Sequence, residues 1–155
     1  MASSTSCWKS GPTGSGVGGA LGTPQWLLFE FPYDVIITKY EIWPRNVSGN
    51  IIHFPHNPKS WTLQGSTDSN PSFWYVIDEQ TNIASSDWDT TNELSIKDQV
   101  DSNEYSIPDG SQNVYRNIRI RITASHTSNS HVAIGEIAYY GYKEPPLLEV
   151  NDIST

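Results

Sequence analysis

An alternation of side chains within residues 58–78 constrains the fold of this chain more than any other feature. Buried-type residues recur at every second position, in the order Trp61, Leu63, Gly65. This period of two is typical of a strand with one buried face. Residues 66–71 are Ser, Thr, Asp, Ser, Asn and Pro, most of which bond to their own backbone in turns. We therefore predict two antiparallel strands joined by a turn, with Trp61 and Trp74 holding the pair together.

Further strands are predicted along the rest of the chain. The segments are 25–31, 35–43, 59–65, 74–78, 104–107, 114–124 and 133–142, with a short candidate at 93–96. No long stretch has the 3.6-residue period of an amphipathic helix, and the 8 tyrosines and 6 tryptophans favour strands. A chain of 155 residues is long enough for one such domain. We predict an all-β domain over 1–143 and a tail or contact arm over 144–155, after two prolines.

Charge argues against a nucleic-acid partner. The formal net charge is −8, and residues 78–104 carry eight carboxylates against one lysine. Nucleic-acid binding needs a basic face that neutralises phosphates. Three arginines cluster in the predicted strand 114–124, and we interpret them as a solvated sheet face that pairs with neighbouring acids. They are Arg116, Arg119 and Arg121.

Targeting and redox signals are also missing from the sequence. Residues 1–20 are rich in Ser and Gly, without the basic start and apolar centre of a signal peptide. No apolar run approaches the roughly 20 residues that span a bilayer. The single cysteine, Cys7, excludes an internal disulfide. We expect no membrane insertion, and a location either inside the cell or at the cell exterior as part of an assembly such as a virion.

Four segments in order carry a resemblance to a known family. They are residues 5–10 (TSCWKS), 24–31 (PQWLLFEF), 58–78, and 115–141 with YRNIRI, IGEI and YYG. In them the chain resembles the discoidin domain, the galactose-binding-like jelly roll that also forms the C domains of coagulation factors V and VIII and many bacterial carbohydrate-binding modules. The resemblance implies an antiparallel jelly-roll β-sandwich. Such domains usually open with about two dozen further residues, so we expect this chain to lack the usual first strand.

The resemblance also implies a binding role and a location for it. In the family, loops at one end of the sandwich grip the ligand, and these map to 8–23, 44–58, 79–92 and 124–132. Sugars need an aromatic platform and planar hydrogen-bonding groups, which these loops offer. The candidate ligand-binding residues are His53, His56, Asn57, Trp88 and His126. Two alternatives stay open: Trp88 packs over the end of the sandwich, and the histidines are merely solvated.

Trp26, Trp61 and Trp74 match core tryptophans of the family, so we expect all three to be structural. The fucose-binding pattern Arg-Asp-Gly-Arg is absent from the sequence, and that specificity is not expected.

A structural calcium ion is a further implication of the resemblance. Many relatives hold one with backbone carbonyls, a loop aspartate and a glutamate on the last strand. Glu136 matches the glutamate, and carboxylate oxygens suit the ion. No aspartate matches the loop position, since residues 3–5 are Ser, Ser and Thr. The alternative is that Glu136 accepts backbone N–H bonds and binds no metal.

The sequence is compared with three classes of function: an enzyme, a binding module and a structural protein. Asp87 and Asp89 flank Trp88, but no motif ties this carboxylate pair to a cleft, so we expect no enzyme activity. The sequence favours a non-catalytic module that recognises a glycan on a virion or adhesive assembly. The alternative is a structural virion protein, a capsid decoration or tail component. Such a protein would contact other subunits or copies of itself through the sandwich.

Overall fold

Eight strands, each paired in the antiparallel sense, form the part of the chain that the structure describes. The structure is a computed structural model that describes residues 8–9, 20–44, 56–67, 71–88, 102–126 and 131–143. The strands are β1 (Trp8–Lys9), β2 (Ala20–Trp43), β3 (Pro58–Ser66), β4 (Tyr75–Gln80), β5 (Asn103–Ser106), β6 (Val114–Ser125), β7 (Ala133–Ile134) and β8 (Glu136–Lys143). Within these residues the only helical elements are short 3₁₀ turns, at Ser85–Asp87 and Asp109–Ser111 among others. The predicted strands are confirmed except 93–96, which lies outside the described residues.

The long strand β2 belongs to both layers of the molecule. Its first half pairs with β6, and its second half pairs with β5 on one side and β8 on the other. A register shift between Glu30 and Val35 separates the halves, at Pro32, which has no N–H to donate to a ladder. The two strands predicted at 25–31 and 35–43 are therefore one strand with a bend.

The sheet order is β4-β3-β6-β2-β5, with β8 also paired to β2, and β1 pairs separately with β7. The bend in β2 brings the β5–β8 region over the inner face of β3 and β6, so that Trp61 of β3 lies against Tyr40 of β2. The fold is an antiparallel β-sandwich, as the sequence predicts.

The core lies between the two layers and follows the predicted alternation. Trp61 and Leu63 of β3 are buried, and so are Ile118, Ile120 and Ile122, which alternate along β6. Gly65 continues this inner row, and a Cβ there would collide with the ring of Tyr115. The largest fully buried side chains are Trp61, Trp88, Tyr40, Ile42, Leu63, Ile118, Ile120, Ile122 and Ile134.

The expectation that Trp26 is a core residue is wrong. Its side chain is 55% exposed, because Trp26 pairs with Arg121 on the outer face while its neighbour Leu27 packs against the core. Both faces of this strand are apolar, so its pattern does not reveal which one points inward. Trp74 is half-buried and also lies on the outer face, where its ring stacks on the guanidinium of Arg119, 4.0 Å away. Of the three tryptophans, only Trp61 is confirmed as core.

The strand predicted as continuous over 133–142 is divided at Gly135. Its N–H leaves the ladder and donates to the carbonyl oxygen of Trp43 at 2.9 Å. A Cβ at this position would collide with the carbonyl oxygen of Pro44, so the close approach of the two backbones requires glycine.

Candidate functional site

The pairing of β3 with β6 brings two predicted site residues together at one end of the sandwich. Asn57 immediately precedes β3 and His126 immediately follows β6, while Pro58 and Ser125 are partners in the ladder. The backbone N–H of His126 donates to the carbonyl oxygen of Asn57 at 3.3 Å. Asn57 is fully buried and His126 is half-buried.

Trp88 lies at the same end because residues 81–88 are bonded to the start of β3. The N–H of Ile83 donates to the carbonyl oxygen of Lys59 at 3.0 Å, and the N–H of Asn82 donates to Ser60 Oγ at 3.0 Å. Asn82 has a φ of 54°, in the left-handed region that asparagine tolerates better than most residues. We call Asn57, Trp88 and His126 the polar end cluster.

Unpartnered polar atoms concentrate in the polar end cluster. Six buried side-chain nitrogen or oxygen atoms of the described residues have no hydrogen-bond partner, and four of them belong to this cluster. They are Asn57 Oδ1, Asn57 Nδ2, Trp88 Nε1 and His126 Nε2. Buried polar groups in folded proteins are nearly always hydrogen-bonded, so this concentration of exceptions calls for a partner, which either a bound water or a ligand would supply.

The surroundings of His126 favour the neutral form of its imidazole. Burial lowers the pKa of His126, and the positive charge of Lys59 lowers it further, against a smaller opposing effect of Asp87. A neutral imidazole has one donor and one acceptor nitrogen. The Nε2 atom can therefore either accept from or donate to a hydroxyl group, according to the tautomer.

The two other predicted ligand-binding residues, His56 and His53, do not belong to the polar end cluster. His56 is half-buried and its ring meets that of His131 edge to face, with centroids 5.9 Å apart. His131, which was not a candidate, is thus part of the same end, and only its place in the loop 124–132 hints at this in the sequence. His53 lies outside the described residues.

Trp88 is not an exposed platform in this structure. Its side chain is 2% exposed, and its ring lies 6.3 Å from that of Trp61 with the planes tilted by 48°. The indole packs over the end of the sandwich, which is the alternative that the sequence left open. Its Nε1 still has no partner among the described residues.

The carboxylate beside Trp88 has a structural task. Asp87 Oδ2 accepts a hydrogen bond of 3.1 Å from the N–H of Ala84 and so closes the 3₁₀ turn. Asp89, the other half of the carboxylate pair, lies outside the described residues. The chemistry of the polar end cluster is therefore hydrogen bonding: an amide, an indole N–H and a neutral imidazole.

The predicted calcium ligand Glu136 is exposed, on β8 opposite Trp43. No group of three or more His, Cys, Asp or Glu side chains within the described ranges could hold a metal ion. The other expected ligands, in residues 3–5, lie outside these ranges. The calcium ion therefore stays a prediction from the resemblance, and no step below depends on it.

The described part of the chain contains no helix with the length and apolar character needed to cross a membrane.

Several solved carbohydrate-binding modules have a fold similar to that of this chain. Chitosan-binding module 1 of a chitosanase/glucanase from Paenibacillus sp. IK-5 superposes with a TM-score of 0.58 at 16% identity, over 90% of this chain and 79% of the other. CBM32-3 from a family 31 glycoside hydrolase of Clostridium perfringens gives 0.59 at 14% identity, over 89% and 76%. CpGH89CBM32-5 of Clostridium perfringens, solved with GalNAc-β-1,3-galactose, gives 0.56 at 14%, over 88% and 76%.

These identities are too low to show more than the shared fold. No curated protein matches the chain. A family model does match it, across residues 4–141, which is most of the sequence and includes every described strand except the last two residues of β8. The chain belongs to this family, DUF5000, described as a domain of unknown function.

Proposed function

We propose that this domain binds glycans, without catalysis, at the polar end cluster. The observation that carries the proposal is the set of four buried, unpartnered polar atoms on Asn57, Trp88 and His126. Each such atom costs on the order of 1–3 kcal/mol when no partner replaces the water it has lost. All four atoms lie at one end of the sandwich, where β3 begins and β6 ends.

The chemistry of the cluster suits hydroxyl groups. The amide of Asn57 offers one acceptor and two donor hydrogens, the indole of Trp88 offers a donor, and the neutral imidazole of His126 offers either. A sugar hydroxyl both donates and accepts, so vicinal hydroxyls can satisfy all three side chains. Phosphate or carboxylate ligands would need donors or cations throughout, and the acceptor Oδ1 of Asn57 would stay unpaired.

The structural relatives support a sugar rather than another hydroxyl compound. They share the sandwich, and their names or bound ligand refer to chitosan and to GalNAc-β-1,3-galactose. The cluster atoms are buried, so a ligand reaches them only when the groups that cover them move aside. Binding at this end therefore involves a local opening of the domain.

A glycan array followed by calorimetry tests the proposal, with GalNAc-β-1,3-galactose and chitotriose as first probes. We expect a specific hit whose affinity falls by about tenfold or more in Asn57→Leu, since about 1.4 kcal/mol of lost hydrogen bonding corresponds to that factor. Asn113→Leu is the matched control, because Asn113 is exposed at the opposite end of β6. An empty array, or equal affinities for both variants and the wild type, would overturn the proposal.

The biological setting stays a prediction. The structural relatives give no support for a virion or phage origin, and the predicted contact arm 144–155 lies outside the described residues. An assembly role through other subunits, and a calcium ion at Glu136, likewise rest on the sequence alone.

A further inference from the structure

The outer face of the layer formed by β4, β3, β6 and the first half of β2 carries exposed aromatic and cationic side chains. None of them belongs to the polar end cluster. Five residues on β2, β6 and the segment before β4 form what we call the outer-face patch: Trp26, Leu28, Trp74, Arg119 and Arg121. Trp26 is 55% exposed and Leu28 is 44% exposed. Contiguous exposed apolar side chains often mark an interaction site, whereas exposed apolar residues that are scattered singly do not.

The ladder register sets out the patch in rows. Trp26 lies directly opposite Arg121, and Leu28 directly opposite Arg119, on neighbouring strands. Side chains two residues apart on one strand share a face and stand about 7 Å apart, and neighbouring strands are about 4.8 Å apart. From β2 across β6 and β3 to β4 the patch therefore spans roughly 14 Å, more than one sugar ring needs.

Arg119 is held in a fixed orientation. Its Nε donates to Gln64 Oε1 at 2.7 Å, and its guanidinium lies 4.0 Å from the centroid of the Trp74 ring. Because Nε is used, the two terminal nitrogens remain as a planar pair of donors, the arrangement that grips a carboxylate or sulfate group. A side chain fixed in advance loses less entropy when it binds.

Two arginines of this face have no ion-pair partner among the described residues. Neither Arg119 nor Arg121 forms an ion pair within the described residues, although Glu30 and Glu79 share the face. Arg116, on the same strand, shows the usual alternative, with Nε 2.8 Å from Asp34 Oδ1. Arg116 thus pairs with an acid as predicted, whereas Arg119 and Arg121 have no such pair among the described residues.

The positive charge of Arg121 also disfavours the protonated form of Arg119. Burial lowers the pKa of Arg119, and the charge of Arg121 lowers it further. In a chain with a net charge of −8, two adjacent cations without an ion-pair partner among the described residues mark a place where an anion would be stabilising.

We propose that the outer-face patch is a second binding site, for a polysaccharide that carries carboxylate or sulfate groups. A sugar ring stacks on the exposed indole of Trp26, and its acidic group bonds to Arg121, the neighbour of Trp26 across the ladder. The next unit along the polymer reaches Arg119. This site is independent of the polar end cluster, which offers hydroxyl-type partners and no arginine.

Affinity electrophoresis in gels that contain polygalacturonate, dextran sulfate or neutral dextran tests the proposal. We expect retardation by one or both of the acidic polymers and none by dextran. The polygalacturonate and dextran sulfate gels distinguish carboxylate from sulfate as the recognised group. Binding weakens as salt rises, because the contacts are ionic.

Four variants localise the site. Arg121→Gln and Trp26→Thr should each weaken retention by about fivefold or more, a loss of roughly 1 kcal/mol. Arg116→Gln removes the same charge from the same strand and should change retention by less than about twofold. Asn57→Leu, in the polar end cluster, should leave retention by acidic polymers unchanged, so that a failure of one site is distinguishable from a failure of the other.

Four results would overturn the proposal. They are equal retention by dextran, no retention by either acidic polymer, equal losses in Arg121→Gln and Arg116→Gln, or a self-associated state in sedimentation that Trp26→Thr disperses. The last result would assign the patch to a second copy of the chain.

Discussion

The indole nitrogen of Trp61 donates a hydrogen bond of 3.0 Å to the hydroxyl oxygen of Tyr40. That hydroxyl in turn donates to Asp78 Oδ2 at 2.6 Å, so one phenol joins β3, β2 and β4 inside the sandwich. Tyr105 of β5 stacks on Tyr40 with ring centroids 5.0 Å apart. Burial raises the pKa of Tyr40, and the carboxylate of Asp78 raises it further, so the phenol keeps the proton that it donates.

Removal of this hydroxyl should therefore destabilise the fold. In Tyr40→Phe both Trp61 Nε1 and Asp78 lose a buried partner, and we expect the free energy of unfolding to fall by about 1–3 kcal/mol. Urea denaturation followed by tryptophan fluorescence measures the change. Tyr142→Phe is the control, because Tyr142 is exposed, and it should stay within about 0.5 kcal/mol of the wild type. Equal stabilities of the two variants would contradict the role of the hydrogen bonds.

Gly65 should resist even the smallest substitution. A Cβ at this position would collide with three ring atoms of Tyr115, whose ring is itself held in the core. We expect Gly65→Ala to lower the free energy of unfolding by about 1–3 kcal/mol through overpacking. At Gly110 nothing lies within 4 Å of an added Cβ, so Gly110→Ala should be neutral or slightly stabilising. Thermal unfolding of both variants gives the comparison, and a Gly65→Ala melting temperature equal to that of Gly110→Ala would refute it.

Strands β3 and β2 show where the period-two pattern predicts burial and where it does not. On β3 the inner and outer residues differ in polarity, so the buried row Trp61, Leu63 and Gly65 follows from the sequence alone. On β2 both rows are apolar, and the side of Trp26 is decided by its pairing with Arg121, which only the fold shows. A single-strand pattern cannot rank two apolar faces.

The candidate site was predictable in a similar, partial way. Loop residues with hydrogen-bonding side chains were sufficient to select Asn57, Trp88 and His126, and strand pairing brings them to one end of the sandwich. Their burial could not be predicted, because it depends on how residues 81–88 pack against the start of β3. The resemblance suggested an exposed indole at position 88, and the structure has a buried one.

Asn57 should be exchangeable for an apolar residue at little cost in stability. Its amide atoms are buried and have no hydrogen-bond partner among the described residues, so Asn57→Leu removes two unsatisfied groups and keeps most of the volume. We expect the free energy of unfolding to stay the same or to rise by up to about 2 kcal/mol.

Asn117 is the matched control for that variant. It is as buried as Asn57, but it is engaged with its surroundings and contributes no unpartnered atom. Asn117→Leu should therefore lower the free energy of unfolding by about 1–3 kcal/mol. If Asn57→Leu destabilises the domain as much as Asn117→Leu does, the amide of Asn57 is a structural group, satisfied for example by a buried water, and the functional interpretation fails.

His126 should make the domain sensitive to acid. Because burial and Lys59 lower the pKa of His126 in the folded state, the unfolded chain binds a proton more readily than the folded one. Above about pH 6.5, the pKa of histidine in an unfolded chain, His126 is neutral in both states and does not reduce the free energy of unfolding. As the pH falls from there toward the lower pKa of the folded state, the free energy of unfolding decreases. The glutamine side chain of His126→Gln cannot be protonated, so the melting temperature of this variant should decline less than that of the wild type between about pH 8 and about pH 5.

An NMR titration of the imidazole in Lys59→Gln provides an independent measure, since removal of the lysine charge should raise the pKa of His126. The prediction fails if the melting temperatures of His126→Gln and the wild type change equally with pH across this range and the pKa of His126 is at or above about 6.5. The burial of Nε2 would then have no electrostatic consequence.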